Sequence, residues 1–136
     1  MGCDIHLHTE IKLKGKWEHY GAPHIDRNYD LFSKMAGVRS DGCITPIADQ
    51  KGLPNDVSNV TYLAACWHSA DWHSHSWLSA KEILQLEEWL EKAKKDYVPE
   101  RRWGYLFGNS FGGWSKYPED YPPEIEDVRF VFWFDN

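Results

Sequence analysis

The sequence predicts an α+β fold: an antiparallel or mixed sheet, made of an N-terminal hairpin and a central C-terminal strand, with about three helices packed on it. Three observations carry this. From Cys3 to Lys14, apolar Cys3, Ile5, Leu7, Ile11 and Leu13 alternate with polar Asp4, His6, His8, Glu10, Lys12 and Lys14, the period of a half-buried strand. From Val128 to Phe134 both faces are apolar, with Val128, Phe130, Phe132 and Phe134 on one side and Val131 and Trp133 on the other. Such a strand belongs in the middle of its sheet. Between them, Ser79 to Glu82 forms a capping box ahead of an apolar stripe at helical spacing.

Taken in order, Lys14-Gly15-Lys16 reads as a turn and Trp17 to Tyr20 as the returning strand of a hairpin. Gly21-Ala22-Pro23 ends it. Arg27 to Ala36 reads as a short helix with Asp26 as its cap and Gly37 just past its end. Residues 38–57 hold Asp41-Gly42, Thr45-Pro46 and Leu53-Pro54 and read as an ordered loop. Asp56 or Ser58 can cap a second short helix over Asn59 to Cys66. Residues 67–77 read as a His- and Trp-rich loop leading into the third helix. That helix has Leu78 and Ile83 as a hydrophobic staple, Ile83, Leu86, Leu90 and Ala93 as its stripe, and Pro99 as its stop. Trp103 to Pro123, rich in glycine, aromatics and proline, reads as a long loop with a hairpin.

The 136 residues are one domain's worth of chain, and the sequence is read as a single domain, 1–136. At 42% hydrophobic and 26% charged it can build a packed core. No apolar run approaches the ~18 residues that span a bilayer. A net charge of −6 argues against general nucleic-acid binding. Three widely spaced cysteines and no charged-then-apolar leader predict a cytoplasmic protein. Met1-Gly2-Cys3 is not read as a lipidation signal, because His6 stands where myristoylation wants Ser or Thr.

The chain holds 8 Trp and 7 His, and their clustering marks the candidate sites. On a strand, Asp4, His6 and His8 project from one face in steps of about 7 Å. They carry oxygen and nitrogen donors suited to zinc or manganese, and resemble the opening of metal-dependent phosphoesterases of the polymerase-and-histidinol-phosphatase type. Asp71 and His73 are the natural completion of such a metal site. The second candidate is the run from Trp67 to Trp77. His73, His75 and Ser76 supply hydrogen-bonding groups just before a helix N-terminus that attracts anions, and Trp77 or Trp72 can stack on a ring. Phosphate plus ring describes a nucleotide. Arg39 is a further phosphate clamp, beside Arg27 and the Arg101-Arg102 pair, and Asn109 lies in a Gly-rich stretch able to cover a ligand.

The segments Met1-Gly2-Cys3-Asp4-Ile5-His6, Leu31-Phe32 through Ala36-Gly37-Val38-Arg39, Gly52-Leu53-Pro54 with Asp56 and Ser58, His73-Ser74-His75-Ser76-Trp77-Leu78 and Phe132-Trp133-Phe134-Asp135-Asn136 together resemble a family of small proteins of tailed phages and prophages. In that family the position of His8 also takes aromatic or aliphatic residues, so the resemblance favours Asp4, His6, His73 and Ser76. It implies an accessory factor in the host cytosol, acting against host defence. Three functions follow as expectations. The first is a homo-oligomeric binding protein that sequesters a small anionic nucleotide-derived ligand. The second is a phosphoesterase in which one divalent transition metal activates water. The third is an inhibitor that docks on a host protein through exposed aromatics.

Overall fold

The computed structural model describes residues 2–67, 70–96, 110–111 and 117–135. The fold is α+β. Strand β1 (Asp4–Leu13) and strand β2 (Lys16–Gly21) form the N-terminal hairpin. Helices α1 (Tyr29–Ala36) and α2 (Asn59–Cys66) follow, then strand β3 (His73–Ser79), helix α3 (Ala80–Asp96) and strand β4 (Asp127–Asp135). The four strands make one antiparallel sheet in the order β2-β1-β4-β3. The terminal strand is central, as its two apolar faces require.

The hairpin turn has two residues, since Leu13 pairs with Lys16. Lys14 and Gly15 have φ of 48° and 76°, the left-handed pair that matches strand twist in a two-residue hairpin. Helix α1 begins later than the sequence suggested. Asn28, not Asp26, caps it, accepting from the Leu31 amide at 3.1 Å. Gly37 ends it at φ 70°. The capping box of α3 forms as expected: the Ser79 amide donates to Glu82 Oε1 and the Glu82 amide to Ser79 Oγ. The expected helix stop at Pro99 and the loop elements at 101–109 and 112–116 lie outside the described residues.

One face of the sheet carries the core. Ile5, Leu7 and Ile11 of β1 and Val128, Phe130, Phe132 and Phe134 of β4 meet Leu31, Phe32 and Met35 of α1 and Ile83, Leu86 and Leu90 of α3. Thr9 is fully buried among them, on the apolar side of β1. Burying these side chains, at about 1.5–3 kcal/mol each, drives the sheet and the two helices together. Helix α2 lies on the opposite face, at the β2 edge, where the Ser58 amide before it donates to Glu10.

The largest departure from the sequence reading is the segment before α3. Residues 73–79 form an edge strand, not a loop. Its alternation is hidden by a bulge. Ser76 faces Phe132 and His73 faces Phe134, so Ser74 and His75 together oppose Trp133. Ser74 takes φ 58° to accommodate the extra residue.

Candidate functional site

The second face of the sheet holds an array of imidazole and indole rings. Trp133 of β4 is its centre. Strand pairing sets His6 opposite Trp133 and His8 one step further along β1. His8 stacks at a centroid distance of 5.0 Å and 14° between planes, and His6 at 6.0 Å and 14°. On the β3 side His75 stacks at 5.6 Å and 21°. Trp72 tilts over both Trp133 and His6, at 5.6 and 5.0 Å. Trp133 is 1% exposed, and its Nε1–H has no hydrogen-bond partner among the described residues. A buried donor left without an acceptor is costly, on the order of 1–3 kcal/mol.

The array is electrically neutral at physiological pH along much of its length. Burial, then His19 and His6, pushes His8 down to about 4. Burial also lowers His19 and His75. His8 Nδ1 and His19 Nε2 lie 3.0 Å apart, so one imidazole donates and the other accepts. His6 Nε2 meets Asp135 Oδ2 at 2.5 Å.

Further along the same face the rings give way to a buried ion network. Arg129 binds Glu10 at 2.7–2.8 Å and Asp56 at 2.8 Å. Its guanidinium lies 4.0 Å from the Trp17 ring centre and 5.9 Å from that of Trp77. Lys51 lies over Trp77 at 3.8 Å and pairs with Glu82. Beyond Trp17, a cavity of about 310 Å³ opens between β2 and the start of α2, lined by residues that include Trp17, His19, Asp56 and Asn59.

The structure brings His6, His8, His75, Trp77 and Trp72 onto this one face. It separates others. The bulge sends His73 to the core side, against Phe134 at 6.3 Å, with its Nδ1 at 2.8 Å from Ser74 Oγ. Ser76 is also on the core side; it is buried, and its Oγ accepts from the Lys51 amide. Arg39 lies over Tyr29 at 5.4 Å and beside Cys3, on the core side of the sheet. Asn109 lies outside the described residues. The anion site expected at the start of α3 is occupied by the protein's own Glu82.

The expected metal centre is corrected. Among the described residues, no three His, Cys, Asp or Glu side chains come together to hold a metal ion. The reason is visible at each proposed ligand. Asp4 is clamped by Arg27 at 2.9 and 3.0 Å, which holds its carboxyl below the usual range. His6 is committed to Asp135 and His8 to His19. His73 is on the other face, and Asp71 is exposed in the turn before β3. Zinc or manganese as a cofactor, and the hydrolase that needs it, lose their ligand set.

Sequence reasoning missed three participants. Trp133 reads as an apolar strand residue and His19 as part of a hairpin, because only strand register brings them beside His8. Asp135 was part of a terminal motif without a role. No known protein family, curated protein or solved structure matches the chain.

Proposed function

We propose that this protein binds and sequesters a small nucleotide-derived ligand, gripping the base and not the phosphate. The observation that carries the reading is Trp133. Its buried ring is stacked by His6, His8 and His75, and its N–H has no acceptor among the described residues. Flat imidazoles and indoles offer π-faces, and an imidazole nitrogen can donate to or accept from a base edge. That set matches the edge and face of a heteroaromatic base. Trp72, leading into an edge strand, is the ring placed to move aside and close again over a bound base. The resemblance to small phage proteins supports a role in the host cytosol, where removing a nucleotide signal would blunt a defence response.

The test is a tryptophan-fluorescence titration against nucleosides, mononucleotides and cyclic dinucleotides, followed by native mass spectrometry of the complex. Saturable binding is expected, with the ligand recovered unaltered on denaturation. His75→Ala and His6→Ala should each weaken binding by about tenfold or more, the loss of one stacking contact of roughly 1–3 kcal/mol. Trp133→Phe, which keeps the ring and removes the donor, should discriminate against ligands with a ring acceptor. Full affinity in His6→Ala and His75→Ala would exclude this face.

A further inference from the structure

The cavity beside Trp17 has no part in the ring array, and its walls carry a definite set of groups. It holds about 310 Å³, at the small end of the roughly 300–1,000 Å³ found for small-molecule pockets. One wall is β2, an edge strand of the sheet. The two-residue turn makes Leu13 and Lys16 the first hydrogen-bonded pair of the hairpin. Hydrogen bonding to β1 then skips Trp17, returns at Glu18 and skips His19. The main-chain N–H and C=O groups of Trp17 and His19 therefore point out of the sheet edge, and both residues line the cavity. The other wall brings Asp56. Its Oδ1 accepts from Arg129 at 2.8 Å, and its main-chain oxygen accepts from the same guanidinium at 3.2 Å. The carboxylate is thus fixed in place, and the Arg129 hydrogen bond holds it below the usual carboxylate range. Its side chain is still 67% exposed, and an ionised carboxylate keeps acceptor sites after one hydrogen bond.

Charge narrows what fits. A cation stacked on Trp17 would share the ring with Arg129, 4.0 Å from its centre, and Lys12, at 5.8 Å. An anion would meet Asp56 and Glu18, while Arg129 is already paired with Glu10 and Asp56, and Lys16 lies 3.8 Å from Glu18. What remains is a neutral flat ring that turns hydrogen-bond donors toward the carboxylate. We propose that this cavity binds a guanine-type base, its ring against Trp17 and its N1–H and exocyclic amine donating to Asp56. Guanine is the common base with two adjacent donors on one edge. Adenine and cytosine each set a ring acceptor beside the amine, and the one edge donor of uracil is flanked by two carbonyls. Each of these turns a lone pair toward the carboxylate. The O6 and N7 acceptors of guanine suit the outward main-chain N–H groups of the strand edge. Trp133 does not line the cavity, so the proposal stands apart from binding at the ring array.

Proton–nitrogen NMR of the isotope-labelled full chain tests it, with the indole N–H signals assigned through Trp17→Phe and Trp133→Phe. Guanosine should shift the Trp17 signal saturably. Inosine, which lacks the exocyclic amine, should bind about tenfold more weakly, and adenosine more weakly still. Asp56→Asn, which sets an amide in place of the carboxylate, should bring guanosine down to the level of inosine, while Arg129 keeps Glu10 as its partner. Unchanged circular dichroism would show that the variant folds. A Trp17 signal unmoved by guanosine, adenosine binding as tight as that of guanosine, or a folded Asp56→Asn variant with the wild-type preference would overturn the proposal. Guanosine shifts confined to Trp133 would overturn it too, and would leave the ring-array reading standing.

Discussion

The imidazole of His8 lies nearly parallel to the indole of Trp133, with centroids 5.0 Å apart and planes 14° from parallel. The contact joins a histidine to an aromatic residue more than a hundred positions away, and it couples the charge state of the site to the stability of the sheet.

Acid should destabilise the protein before its carboxylates titrate. His8 is held at about 4 in the fold against an ordinary value of 6.5. Between those values the unfolded chain binds more protons, so stability is complete above pH about 6.5 and is lost as pH falls toward 4. The shift caps the effect at about 3 kcal/mol, and solvent at the half-buried ring reduces it to roughly 1–2 kcal/mol. Thermal melts from pH 7.5 to 4.5 should show a falling midpoint. His8→Phe should flatten the slope, and an unchanged slope would assign the effect elsewhere.

Arg129→Ala should be severely destabilising. The change leaves Glu10, fully buried, without its cation, a loss of about 3–5 kcal/mol. Urea denaturation should show a clear fall in midpoint. The double variant Glu10→Leu, Arg129→Met should recover much of the loss, because it removes both charges together.

Gly37→Ala should lower stability by about 1 kcal/mol or more. The residue sits at φ 70°, and an added Cβ would come within 3.3 Å of Pro46. The helix it ends supplies Leu31, Phe32 and Met35 to the core, so the change should appear as a lower melting temperature with unchanged helix content in the folded state.

Ser74→Val should cost roughly 1–2 kcal/mol, the penalty of a β-branched residue at φ 58°. Ser74→Gly should be tolerated. A valine that straightens the bulge should turn His73 away from Phe134 while His75 keeps the phase of Trp77. Loss of the His73–Phe134 contact, read from the chemical shifts of the His73 ring, checks this.

Period-2 alternation made β1 legible from the sequence, a doubly apolar run placed β4 at the sheet centre, and the capping box located α3. Each signal is local. What stayed hidden depends on register. The bulge breaks the alternation of residues 73–79, so residues 73–77 read as a loop and Leu78 and Ser79 as the lead-in to the helix. Spacing shows that Asp4, His6 and His8 share a face, but not that Arg27, Asp135 and His19 already hold them, which is why the expected metal site does not form. Glu10 reads in the sequence only as one of the polar residues alternating along β1, and the fold sets Arg129 and Ser58 around it.

The bulge at Ser74 acts as a parity switch. Without it, every odd-numbered residue from 73 to 79 would share one side, and His73 would join His75 and Trp77. With it, residues on either side of one extra position obey opposite phases. Deleting that single position would leave His73 opposite Phe134 and His75 opposite Trp133, with plain alternation between them. Straightening the strand at its present length would instead carry His73 to the ring face and take its imidazole off Phe134. Loss of one residue here is therefore silent to both surfaces of the sheet, whereas a slip of register at constant length exchanges them.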